Sequence, residues 1–240
     1  IPVHLYGRIA YMKEILEIAR KNNLKTIVDA SQSLGSKLNG KHSGTFSQLG
    51  CFSLYAAKVI TSGEGGAIIT NNKKYYEFVL RTRNHGALKK YDHKFLGKNS
   101  RLDTIQAAIL RIKLKNYKKV LTKRNMLAKI YYKNLKNIKN IKLFNLKKNY
   151  KSCYHQFVIR TNNRNNLQSF LTNRKISTMI HYPYMLNELD FFNYKKYLPK
   201  AHKLGKKIIS LPVSEDHSAK EIIHICKKIN LLIIETIKNI

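Results

Sequence analysis

Cysteine is scarce in this chain of 240 residues, and long apolar runs are missing altogether. The three cysteines, Cys51, Cys153 and Cys226, form no C-x-x-C pair, and an odd number cannot all pair within one chain. Their spacing offers no zinc site and no disulfide framework, and it fits reduced thiols in the cytoplasm. The longest apolar stretches, such as Leu231-Leu232-Ile233-Ile234, are far too short to span a bilayer, so no membrane association is expected. No secretory n-region or h-region is visible. The opening Ile1-Pro2-Val3-His4 reads like a strand end entered mid-domain, so truncation at the N-terminus is the expectation. Acidic residues are also few: 13 Asp+Glu stand against 46 Lys+Arg, a formal charge of +33. Such a charge favours phosphates of nucleic acid, nucleotide or anionic lipid. The basic residues are nonetheless spread along the whole chain, beside inflated asparagine and isoleucine. That pattern points to compositional drift, with nucleic acid bound only nonspecifically.

The apolar pattern is that of an α/β protein. Ile9, Met12, Ile15, Leu16 and Ala19 fall at helical spacing, which predicts an amphipathic helix over 9–22 and then a short buried strand ending at Asp29. Strands are expected at Leu49–Tyr55 and Gly66–Thr70, and a helix at Tyr75–Arg83. From Asp103 to Lys139 the periodicity predicts one or two long helices with lysine-rich faces. Asn145–Lys151 reads as a polar loop at a lobe boundary. After it come a strand at Tyr154–Arg160, a helix at Leu167–Asn173, strands at Ile176–Ile180 and Lys206–Leu211, and a last helix over Ala219–Ile237. The division expected is 1–115 for a larger lobe and 116–240 for the connecting helices and a smaller one.

Chemistry concentrates in the first lobe. Asp29 closes the run Thr26-Ile27-Val28, Ser53 lies in Phe52-Ser53-Leu54-Tyr55-Ala56-Ala57-Lys58, and the glycine turn Gly63-Glu64-Gly65-Gly66 follows. A carboxylate at a strand end, then a serine and a lysine in strand–turn–strand, is how pyridoxal phosphate enzymes hold their cofactor. The lysine makes the Schiff base, the serine meets the phosphate, and the aspartate pairs with the pyridinium nitrogen. A Schiff-base lysine must lose its proton against an ordinary pKa of about 10.4, which calls for a partly desolvated site beside other cations or the cofactor. The competing readings are a solvated lysine on a surface hairpin and a polar cap at Asp29. Gln32 either contacts the cofactor's phenolic oxygen or is simply solvated, and Ser53, alternating in its strand, faces either the pocket or merely the sheet.

Beyond these residues the chain resembles the pyridoxal-phosphate-dependent nucleotide-sugar aminotransferases, the DegT/StrS family. Val3-His4-Leu5-Tyr6-Gly7, Val28-Asp29-Ala30-Ser31-Gln32 and Gly50-Cys51-Phe52-Ser53-Leu54-Tyr55-Ala56-Ala57-Lys58 are similar to family blocks. So are Arg83-Asn84-His85-Gly86, Gly97-Lys98-Asn99-Ser100-Arg101-Leu102-Asp103, Gln106-Ala107-Ala108, Tyr154-His155 and His181-Tyr182-Pro183. The resemblance implies an aspartate-aminotransferase-like fold, with part of the large cofactor domain in 1–115 and the small C-terminal α/β domain within 116–240. It implies that Lys58 is the Schiff-base lysine and proton shuttle, that Asp29 pairs with the pyridine nitrogen, that Gln32 lies by the ring and that Ser53 binds phosphate. Asn99 would reach the phosphate of a neighbouring subunit in a homodimer, and His181 and Tyr182 would face the sugar nucleotide. The implied reaction moves an amino group, with glutamate as donor, to a nucleotide-linked keto-sugar. In a related dehydratase branch a histidine stands at the lysine position, which Lys58 disfavours. Ala56-Ala57 departs from the usual pair before the lysine. The family's N-terminal phosphate turn and ring-stacking aromatic are not found here, so a truncated or inactive member acting as a basic nucleic-acid- or anion-binding protein is the alternative.

Overall fold

Met12, Ile15, Leu16 and Ala19 recur at helical spacing because one face of their helix is buried. In the computed structural model, which describes residues 1–144, 148–192 and 197–238, they lie on α1 (Met12–Lys21). Met12 packs with Ile9, Val28, Ala30 and Phe52, and Ile15 and Leu16 close the edge of that cluster. Burying side chains of this size contributes about 1.5–3 kcal/mol each. The cluster lies under a short sheet. Its first strand, β1 (Ile27–Asp29), is followed by the small hairpin β2 (Lys37–Leu38) and β3 (Lys41–His42), then by β4 (Leu49–Ser53) and β5 (Gly66–Ile69). The sheet order is β1-β4-β5, with β1 and β4 parallel and β5 antiparallel to β4. Alternation along β4 sends Gly50 and Phe52 inward, and Asp29 lies in register with Cys51.

Helix α2 (Lys73–Thr82) starts where Asn72 Oδ1 accepts the Tyr75 N–H at 3.2 Å. Helix α3 (Thr104–Leu135) is one continuous helix, and Asp103 Oδ1 accepts the Ile105 N–H at 2.8 Å in its first turn. The chain then forms β6 (Lys142–Leu143) and β7 (Tyr150–Lys151); β7 pairs antiparallel with β2. The loop expected over 145–151 is therefore a strand at its end, while 145–147 lies outside the described residues. The chain divides into two compact units, Ile1–Leu121 with Lys147–His155, and Thr122–Leu146 with Gln156–Ile240.

In the second unit, β8 (Phe157–Arg160), α4 (Arg164–Thr172), α5 (Pro199–Gly205), β9 (Ile208–Leu211) and α6 (Ala219–Lys238) follow in order. The sheet order is β6-β8-β9, antiparallel throughout. Tyr131 stacks on Phe157 at 4.5 Å and donates its hydroxyl to Pro212 O at 2.8 Å, satisfying a polar group that would otherwise be buried unpaired. Arg124 pairs with Glu215 at 2.9 Å and donates to Val213 O at 2.7 Å. Ser218 and Glu221 form a reciprocal capping box at the start of α6. Two expectations are corrected. The strand expected at Tyr154–Arg160 begins only at Phe157, because Tyr154 has φ 45°, off the extended region. Ile176–Ile180 is no strand: only Met179 pairs, with Ser210, in an isolated bridge.

His4 lies fully buried, its Nδ1 accepting the Ala10 N–H at 3.2 Å and its Nε2 bonded to Ser43 O at 3.1 Å. That pairing requires the neutral ring, and burial pulls its pKa down from 6.5 to about 4. The unfolded chain therefore binds a proton that the folded chain refuses between those values. The stabilisation is complete above pH 6.5 and is lost as pH falls towards 4, about 3 kcal/mol in all. Denaturant unfolding at pH 7.5 and at pH 4.5 is expected to show this loss, and His4→Gln to flatten it. An equally steep profile in His4→Gln would assign the effect elsewhere.

Candidate active site

The carboxyl ends of β1 and β4 bring the sequence-derived residues together. Asp29 ends β1 and Ser53 ends β4, on the face opposite Val28 and Phe52. Neighbouring strands and a two-residue advance put their Cα atoms roughly 8 Å apart. Lys58 lies just beyond, in a turn where its N–H donates to Tyr55 O at 2.9 Å. The chain then passes through the glycine segment back to β5, with Leu54 N–H donating to Gly65 O at 2.8 Å.

The reactive groups keep valences that the fold does not use. Asp29 Oδ1 accepts the Ser31 N–H at 2.9 Å, and Oδ2 has no hydrogen-bond partner among the described residues. Ser53 Oγ accepts the Tyr55 N–H at 3.3 Å, which leaves its own proton to donate. Lys58 is half-buried, and its ammonium makes no hydrogen bond, ion pair or ring contact among the described residues. In the same turn Ser62 Oγ is buried without a partner, and a Cβ added at Gly63 would meet only Gln106 Nε2, at 3.8 Å. A carboxylate and a hydroxyl donor on one sheet face, followed by an amine with unspent valences and a segment holding an orphaned hydroxyl and free space at Gly63, fit pyridoxal phosphate.

Gln32 is placed differently from a solvated residue. It is nearly buried, its Oε1 accepts the Tyr6 N–H at 2.8 Å, and its carbonyl accepts the Cys153 thiol at 3.3 Å. A clasp surrounds it: Ser36 and Ser152 hydroxyls both donate to Gly7 O, at 2.7 and 2.9 Å, and Ser36 Oγ accepts the Cys153 N–H at 2.9 Å. No pattern in the sequence singled out these serines, because a buried and a solvated serine look alike in one chain.

Asn99 lies in a segment that pairs with the end of α2. Asn84 and Asn99 form a bridge, and Asn99 Oδ1 accepts from Arg101 Nε at 3.0 Å. Asp103 caps α3. His181 and Tyr182 belong to the second unit. His181 Nδ1 lies 2.9 Å from Ser210 Oγ, and burial lowers its pKa. Tyr182 stands edge-on to it at 5.6 Å. Ser210 was not singled out by sequence either. No group of three or more His, Cys, Asp or Glu among the described residues is placed to hold a metal ion, and no helix there is long and apolar enough to cross a membrane.

The DegT/DnrJ/EryC1/StrS aminotransferase family profile matches residues 1–230. The chain belongs to that family. Among curated relatives, a pleiotropic regulatory protein of Geobacillus stearothermophilus is 36% identical over 236 residues, which is 95% of this chain and 63% of that protein. The dTDP-3-amino-3,4,6-trideoxy-alpha-D-glucose transaminase of Streptomyces venezuelae is 34% identical over 89% of this chain and 58% of its own length. The solved structure of S. venezuelae DesV in complex with a ketimine intermediate superposes with a TM-score of 0.91 at 31% identity, covering 96% of this chain and 64% of that one. This DegT/StrS-family chain thus spans about three fifths of the length of the relatives it matches. The aspartate-aminotransferase-like fold expected from sequence is the fold observed.

Proposed function

We propose that the chain carries the catalytic half of an aminotransferase that moves an amino group from an amino acid, glutamate, to a nucleotide-linked keto-sugar. The observation that carries this reading is that Asp29 and Ser53 share one sheet face with Lys58 on the turn beyond, and that Asp29 Oδ2, the Ser53 hydroxyl proton and the Lys58 amine are left without partners among the described residues. Pyridoxal phosphate, when bound, supplies an electron sink for the carbon that loses its proton. Asp29 would pair with its pyridine nitrogen and keep that nitrogen protonated. Ser53 donates to its phosphate, and Gln32, fixed by Tyr6 and Cys153, stands beside the ring. Lys58 would hold the cofactor's aldehyde carbon, and its amine would be the group that takes and returns the substrate proton in both halves of a ping-pong cycle. His181, uncharged and oriented by Ser210, and Tyr182 contact the sugar nucleotide. Asn99 reaches the phosphate of a second copy, so the working form is a cytoplasmic homodimer.

Glutamate added to the chain loaded with pyridoxal phosphate is expected to shift its visible absorbance and release 2-oxoglutarate in step. A nucleotide-linked keto-sugar then restores the original spectrum. The second reading, a basic binding protein that kept the fold, rests on the charge of +33. It is favoured by a colourless chain whose affinity for nucleic acid falls steeply with salt.

A further inference from the structure

The sheet face that carries Asp29 and Ser53 holds one more side chain between them. Alternation along β4 turns Cys51 to the same face as Ser53, away from Phe52 and the core. The parallel register sets Cys51 directly beside Asp29, about 4.8 Å across the sheet. On the other side, Cys51 is in register with Ile68 of β5, which is 51% exposed, so the sheet is open at this level. The Cys51 thiol is half-buried and makes no hydrogen bond among the described residues. Burial and the Asp29 carboxylate both push its pKa up, keeping it an uncharged, polarizable group. The other two thiols are elsewhere and shielded, Cys153 at 1% exposure and Cys226 at 3%.

We propose that Cys51 is a further cofactor-contacting residue, lying against bound pyridoxal phosphate in the row from Asp29 to Ser53. This rests on the reading given under Proposed function. A thiol suits the position because it is small enough to let a flat ring approach the strand, and because it brings no charge to compete for Asp29.

The test uses alkylation of the chain by N-ethylmaleimide, mapped by peptide mass spectrometry. One sample carries pyridoxal phosphate fixed by borohydride and located at Lys58; the other carries none. Without cofactor, Cys51 is expected to react while Cys153 and Cys226 do not. With cofactor fixed at Lys58, the Cys51 rate is expected to fall at least about tenfold, because reaction follows access to the thiolate. Inorganic phosphate alone should give no protection. Cys51→Phe is expected to abolish cofactor uptake with the far-ultraviolet dichroism unchanged. Equal Cys51 rates with and without fixed cofactor would overturn the contact alone, as would a Cys51 that reacts in neither sample. Failure of any cofactor to attach at Lys58 would overturn both the contact and the aminotransferase reading. Uptake by Cys51→Phe as strong as by the parent chain would also overturn the contact.

Discussion

Lys58→Ala is expected to abolish the borohydride-fixed attachment of pyridoxal phosphate at this site and to end transamination. The chain is rich in lysine, so scattered modification of surface amines will persist in the variant; the decisive readout is the peptide that spans residue 58. Loss of the proton shuttle alone costs about 100- to 10,000-fold in rate, and loss of the covalent anchor adds to it. Folding should be untouched, because the ammonium makes no hydrogen bond or ion pair among the described residues. A Lys58→Ala chain that turns over at the parent rate would end the assignment. The same variant tests the shared site. If Asn99 serves a second subunit, mixing Lys58→Ala with Asn99→Ala subunits concentrates both lesions in one site and leaves the other intact, so activity reappears. No recovery, despite verified subunit exchange and a clear Asn99→Ala defect, would place Asn99 in its own subunit's site or outside the site altogether.

Gly50→Ala is expected to destabilise the chain more than its chemistry suggests. The backbone at Gly50 is ordinary strand, where alanine is acceptable, so the cost is steric. A Cβ there would land on the Gly44 carbonyl oxygen, with Gly44 C at 2.7 Å and Cα at 2.8 Å. These are backbone atoms, and neither can swing aside as a side chain tip would. Overpacking of this kind costs about 1–3 kcal/mol or more, some 2–4 °C of melting temperature per kcal/mol in a chain of this length. The strain falls on β4, the strand that positions Cys51 and Ser53, so cofactor affinity should fall with stability. Gly40→Ala is the contrast: nothing among the described residues lies within 4 Å of a Cβ there, and only its φ of +79° is penalised, about 1–2 kcal/mol. A Gly50→Ala melting temperature equal to that of the parent chain would show that the 44–50 contact can relax.

The amino-acid sequence by itself determined the α/β pattern, α1, the strand that ends at Asp29 and the order Asp29, Gln32, Ser53, Lys58. Those features rest on local spacing: helical and alternating periods, a lysine among small residues and a glycine turn. Several things were not local. The failure of Ile176–Ile180 to become a strand depends on pairing distant in sequence, since only Met179 bridges, to Ser210. Tyr150 pairs with Leu38, far earlier in the chain, and that pairing turned the end of an expected loop into β7. Gln32 could be named from sequence, but its partners Tyr6 and Cys153 could not, because they come from segments 26 and 121 residues away. The register of β1 with β4 is likewise a tertiary fact. It alone decided that Cys51, read from sequence only as a reduced thiol, stands beside Asp29 on the open face of the sheet.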